Sequence, residues 1–205
     1  MVLQIKQYRK NMTTARFALC KSQDSIDGAA IIKNDKIEIT FNRNTGKFKR
    51  DVETGDWNGL TSHDKKVEFM KKRSTNNILS RYNYHTIVTD GKQYNIYTVG
   101  NGSNAKTSFL LYDERTQIAQ IDKSFLIRDD LYDFLAYVKE GYEELAVFAC
   151  LFIYVELFFS TGIVGDYTER KEGVKTTNRF VKAKYNPNFV KKILSKEAAK
   201  HTSKV

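Results

Sequence analysis

The chain has 205 residues, of which 41% are hydrophobic and 13% aromatic, and carries a formal net charge of +10. That apolar content is enough for one domain with a sizeable core. The opening residues, MVLQIKQYRKNMTTARFALC, lack the cationic segment, unbroken apolar run and small-residue cleavage site of a secretory signal, so export by that route is not expected.

Taken in order, the first residues of note are Cys20, in an apolar strand-like segment, and its distant counterpart Cys150. Neither has a metal-binding or redox spacing, so both read as buried structural thiols suited to a reducing cytoplasm. Residues 29 to 41, AAIIKNDKIEITF, place two β-rich arms around Asn34-Asp35 and predict a hairpin. Residues 44 to 59 hold three glycines with Asp, Asn and Thr, which predicts a loop or a pair of turns. The only tryptophan, Trp57, lies there and reads as a plug or edge residue of a barrel rather than a ligand platform. Residues 64 to 73, DKKVEFMKKR, predict a charged strand with Val67, Phe69 and Lys71 on alternate positions and a solvated lysine face.

From Arg81 the chain becomes a meander. Residues 82 to 89 and 93 to 99 flank Asp90-Gly91, a strong two-residue hairpin signal, and Gly100-Asn101-Gly102 turns into a strand over 107 to 112. Strands over 117 to 125 and 131 to 138 follow, and at Gly141 the period changes from two to that of a helix. The helix, 142 to 160, is apolar on all sides, and from Leu145 to Phe159 only Glu156 is charged. Such a helix must be buried all round. Its apolar core is about 22 Å long, short of a bilayer span, which favours a core helix over the transmembrane alternative. Glu156 then needs a partner or the helix end, and Glu143 and Glu144 suit the positive end of the helix dipole.

The run IDKSFLIRDDLYDFLAYVKEGYEELAVFACLFIYVELFF resembles the closing segment of the tubby C-terminal-like superfamily, in its LURP-one-related and bacterial branch. The likeness is carried by Ile121 to Ser124 as an Ile-x-Lys-Lys-type strand, by Phe125 and Asp130-Leu131-Tyr132, and by the hydrophobic helix ending at acidic Glu156. The resemblance implies a mainly β fold: a closed antiparallel barrel of about twelve strands around a buried C-terminal helix. It also implies association with membranes, since tubby-like proteins include phosphoinositide binders. The lysine- and asparagine-rich, proline-poor composition suggests an AT-rich bacterial source. The expected division is a barrel domain over 1 to 165 and a basic extension over 166 to 205.

That extension holds the charge. Arg170 to Val205 has eleven Lys or Arg and two acids, whereas residues 1 to 169 have 23 basic and 22 acidic residues. Concentrated charge of this kind attracts polyanions. Asn186-Pro187 predicts a cap and first turn for a short basic amphipathic helix, with Phe189, Val190, Ile193 and Leu194 on one arc and Lys191, Lys192, Lys196 and Lys200 around the rest. That arc can pack on the barrel with the lysines solvated, or the helix can dock on an anionic membrane, a nucleic acid or an acidic protein.

Catalytic and cofactor signals are missing from the sequence. His63, His85 and His201 have no short metal-ligand spacing, Asp129, Asp130 and Asp133 lack the glycine and further oxygens of a calcium loop, and no nucleophile elbow or phosphate loop occurs. The expectation is a non-enzymatic cytoplasmic protein without metal or cofactor. It binds anionic phospholipid at the membrane surface, with Lys182, Lys184, Lys191, Lys192 and Lys196 as the anion-binding candidates. The alternative is an intracellular scaffold or regulator whose tail meets an acidic protein or nucleic acid.

Overall fold

The computed structural model describes residues 1–11, 13–21, 25–74, 81–101, 106–123, 131–157 and 178–202. Twelve strands form a closed antiparallel barrel in which each strand pairs with its neighbours in sequence and β1 closes on β12. They are β1 (Val2–Lys10), β2 (Thr14–Cys20), β3 (Gly28–Lys33), β4 (Lys36–Phe41), β5 (Asn44–Arg50), β6 (Trp57–Thr61), β7 (Lys66–Arg73), β8 (Asn83–Thr89), β9 (Lys92–Asn101), β10 (Lys106–Asp113), β11 (Thr116–Lys123) and β12 (Asp133–Val138). Among the described residues three helices follow: α1 (Glu143–Leu157), α2 (Arg179–Lys182) and α3 (Pro187–Thr202).

Alternation sets the wall. In β4, Ile37, Ile39 and Phe41 are buried while Lys36, Glu38 and Thr40 are exposed, so one face of the strand joins the core and the other meets water. Closure leaves no unpaired sheet edge, because Leu3 of β1 sits opposite Ala136 of β12. Every residue of α1 from Leu145 to Val155 is buried, and these residues share one apolar cluster with the buried residues of the strands. Phe152 stacks on Phe69 with centroids 4.7 Å apart, Phe48 meets both Phe148 and Phe152 at 5.2 Å, and Phe17 meets Tyr154 at 4.9 Å. Gln7 donates to the Tyr154 hydroxyl at 2.9 Å, which satisfies the one phenol of that helix segment.

The meander from β8 onward follows the sequence pattern, with Asp90 and Gly91 both at positive φ in the two-residue turn between β8 and β9, except that Gly100 and Asn101, expected to turn, end β9 paired with Thr107 and Lys106. The expected loop over 44 to 59 is instead two strands, β5 and β6, joined by the turn at 51–56. Of its three glycines only Gly55, at φ +76°, serves a turn. Gly46 and Gly59 lie within strands where there is no room for a side chain: a Cβ on Gly59 would collide with the Lys47 carbonyl, and one on Gly46 would come within 2.8 Å of the Phe48 ring. The hairpin from β4 to β5 turns on Asn42 and Arg43, both at positive φ, a conformation that Arg does not advertise. Lys71, expected to alternate with Val67 and Phe69, is exposed beyond the part of β7 that pairs with β6. The helix expected over 142 to 160 is α1, its last three positions lying outside the described residues, as do Gly102, Ser124, Phe125, Asp129, Asp130 and the boundary at 165.

Candidate anion-binding surface

The described tail folds back onto the barrel. Asn178 caps α2, its Oδ1 accepting from the backbone N–H of Phe180 at 2.9 Å and of Val181 at 3.3 Å. Val181 is buried with Tyr97, Leu110 and Tyr112, and Tyr82, Tyr84 and Val99 pack around them, so the outer faces of β8, β9 and β10 present an aromatic seat. Burial pushes the Tyr97 phenol up to about 12, reinforced by Tyr82, Tyr84 and Tyr112, and burial also raises Tyr112. The Tyr112 hydroxyl donates to the Lys184 carbonyl at 2.6 Å, and the Lys184 Nζ lies 5.1 Å from the Tyr97 ring centre and 5.5 Å from that of Tyr112.

The second tail helix starts as its sequence suggests, with Asn186 Oδ1 accepting from the N–H of Asn188 at 3.0 Å. Phe189 and Ile193 are each only 5% exposed where α3 meets β11 and β12. Val190 is half-buried, and Leu194, expected on the same arc, is 47% exposed. Ion pairs tie α3 down: Glu197 to the Met1 ammonium at 3.2 Å and Lys200 to Glu140 at 3.2 Å. The second pair holds the Lys200 ammonium above its usual range.

The five candidate lysines thus fall into two groups. Lys184 is half-buried against two phenol rings and its charge is engaged. Lys182, Lys191, Lys192 and Lys196 are exposed and make no ion pair among the described residues. Beside them in the chain stand Phe180 at 45% and Tyr185 at 37% exposure, which together with Leu194 are three of the seven exposed large hydrophobics among the described residues. The sequence reading placed Leu194 on the arc of α3 but did not single out Phe180 or Tyr185, because it made no helix of residues 179–182.

Interior polar groups were candidates of a different kind. His85 is 6% exposed and stacks on Phe69 at 5.2 Å, inside the column that continues to Phe152, and its Nδ1 has no hydrogen-bond partner among the described residues. Burial, with Lys71 opposite on β7, pulls its imidazole down to about 4, so it is neutral at physiological pH. The Lys123 ammonium lies 4.7 Å from the Tyr132 ring centre, and burial lowers it. Glu156 approaches Arg50 at 3.4 Å, within ion-pair range although not aligned as a hydrogen bond, which supplies the partner its burial demands. Trp57 is wholly buried against Phe152, a packing residue with its indole N–H unpartnered among the described residues.

No catalytic grouping joins these residues. His63 Nε2 is 2.8 Å from Asn44 Oδ1, far in sequence from His85, and the His201 side chain lies outside the described residues. Asp133 is raised by burial and opposed by Lys6, Glu144 is raised by burial, and Glu143 accepts from the Gly141 N–H at 3.0 Å. Asp113, at a shallow pocket with Lys139 and Thr116, already accepts from Lys92 at 2.6 Å and Tyr142 at 3.1 Å, which holds its carboxyl below the usual range. Among the described residues no three His, Cys, Asp or Glu side chains gather as metal ligands, and both cysteines are buried, free thiols raised by burial. No helix among them is long and apolar enough to cross a membrane. The chain matches no protein-family model, and no curated protein or solved structure is significantly similar to it.

Proposed function

We propose that this is a non-enzymatic binding protein that associates peripherally with anionic phospholipid at the cytoplasmic membrane surface, through the tail helices held on its barrel. In this reading α1 fills the barrel lumen, which makes the body a rigid platform. The burial of Leu145 to Val155 on all sides, and their contacts with rings from β2, β5 and β7, support that placement. A closed ring of twelve strands followed by an apolar helix is also the architecture the tubby-like resemblance implies, and this supports a tubby-like ancestry.

One observation carries the membrane assignment: Lys182, Lys191, Lys192 and Lys196 are exposed in the same short tail that exposes Phe180, Tyr185 and Leu194. Lysines supply attraction to lipid phosphates, about 1 kcal/mol each near an anionic surface, while aromatic and leucine side chains enter the headgroup boundary. Docking on the aromatic seat fixes both sets in advance, so less ordering entropy opposes binding. The test is co-sedimentation with phosphatidylserine-containing and with neutral vesicles across a salt series. Binding to the anionic vesicles that fades with salt, and that drops when Lys191, Lys192 and Lys196 become Gln, is expected. No binding even at low salt would overturn the assignment.

A further inference from the structure

The wall formed by β1 to β5 carries a second cationic surface. On it, residues of like charge face each other across three strand pairs: Arg9 opposite Arg16, Lys33 opposite Lys36, and Lys36 opposite Lys49. Arg16 is half-buried and the other four are exposed. None of the five lies within ion-pair distance of a carboxylate among the described residues, whereas Lys65, Lys66 and Lys92 pair with Asp90, Glu68 and Asp113. Two acids share this face, Asp35 in the turn between Lys33 and Lys36, and Glu38 opposite Lys47, so the surplus stays positive. Like charges placed directly opposite destabilise a sheet, so packing gives no reason for the arrangement.

We propose that the outer wall of β1 to β5 binds the phosphate backbone of single-stranded nucleic acid, without reading its sequence. Adjacent strands are about 4.8 Å apart, so the band crosses four strand steps, about 19 Å of girth. A linear polyanion with closely spaced charges can follow it. The wall is convex, which suits a flexible single strand better than a stiff duplex. Tyr8, 53% exposed at the bulge of β1 beside Arg9, offers a ring on which a base can stack. On β1 to β5 Tyr8 is the one large hydrophobic among the exposed ones, against three beside the tail lysines, so a membrane fits this face less well.

The test uses the full chain and a labelled single-stranded oligonucleotide of mixed sequence, with anisotropy read across a salt series. Five phosphate contacts predict a slope near −3.5 in log affinity against log salt, about a hundredfold loss between 50 and 200 mM. Lys33, Lys36 and Lys49 changed together to Gln should flatten that slope by about 2. These exposed changes relieve repulsion, so thermal stability should hold or rise, and circular dichroism of the variant checks its fold. Tyr8→Ala should lower affinity about tenfold and leave the slope alone. The tail triple variant, Lys191, Lys192 and Lys196 to Gln, should lose vesicle binding and keep oligonucleotide binding. The proposal is overturned if wild type does not bind the oligonucleotide at low salt, or if the tail variant loses the slope while the wall variant keeps it. Either result leaves the vesicle assay free to decide the membrane assignment.

Discussion

Lowering the pH should destabilise this protein through one histidine. The His85 imidazole has a pKa of about 4 in the folded chain against an ordinary 6.5, because it is buried and faces Lys71. The unfolded chain therefore binds the proton first as pH falls. Stability from this group is complete above about 6.5, declines between 6.5 and 4, and is flat below. A difference of that size corresponds to about 3 kcal/mol in full and about 2 kcal/mol by pH 5. For a chain of this length 2 kcal/mol lowers the melting temperature by about 4 to 8 °C. The comparison is with His85→Phe, which keeps a ring to stack on Phe69 and cannot titrate. Buried carboxyls such as Asp133 and Glu144 titrate in both proteins and cancel. Urea unfolding at pH 7.5 and 5 should show wild type losing about 2 kcal/mol more than the variant. Parallel pH profiles for the two proteins would refute the reasoning.

Phe152 touches Phe48, Trp57 and Phe69, so Phe152→Ala should cost about 3 to 5 kcal/mol and Phe152→Asp should prevent folding; a soluble, cooperatively unfolding Asp variant would contradict the burial of α1. Gly59→Ala should destabilise by more than about 2 kcal/mol, because the added Cβ meets the Lys47 carbonyl, backbone that cannot swing aside; an unchanged melting temperature would count against the close pairing of β5 and β6. Tyr112→Phe removes the hydroxyl that holds the Lys184 carbonyl at 2.6 Å, at a cost of about 1 kcal/mol confined to the tail. Hydrogen exchange should quicken at residues 178–185 and stay unchanged in the strands. Phe189→Ser with Ile193→Ser should lower the melting temperature, while the lysine-to-Gln changes on α3 leave it nearly constant.

The elements that could be read from sequence were those whose local chemistry and tertiary role agree. Asp90-Gly91 is both a favoured turn dipeptide and an actual turn, and the all-round apolar run of α1 permits only burial on all sides. Residues 44 to 59 failed because Gly46 and Gly59 are small for the sake of a neighbour, Phe48, which is visible only once the strands are paired. The first strand likewise owes its place to β12, more than a hundred residues downstream, whose pairing with β1 no local pattern encodes. In the tail, the charge count found the lysines but not their division. Lys184 differs from Lys191 only through Tyr97 and Tyr112, which come from distant strands.

Packing and binding were alternatives for the tail in the sequence, and the fold makes them compatible. Phe189, Ile193 and Val181 face the barrel, while Lys182, Lys191, Lys192 and Lys196 face water, so anchoring the helices does not consume the charge. The position of the two cationic surfaces follows from the same ring. Strand β4, at the middle of the lysine row, is six places from β10, which helps seat α2, whichever way the ring of twelve is followed. Helix α3, however, meets β11 and β12, and β12 pairs with β1, so the two surfaces adjoin near β1 and diverge toward Lys33, Lys36 and Lys49. The two binding events should be nearly additive, since no described contact joins the two sets of residues.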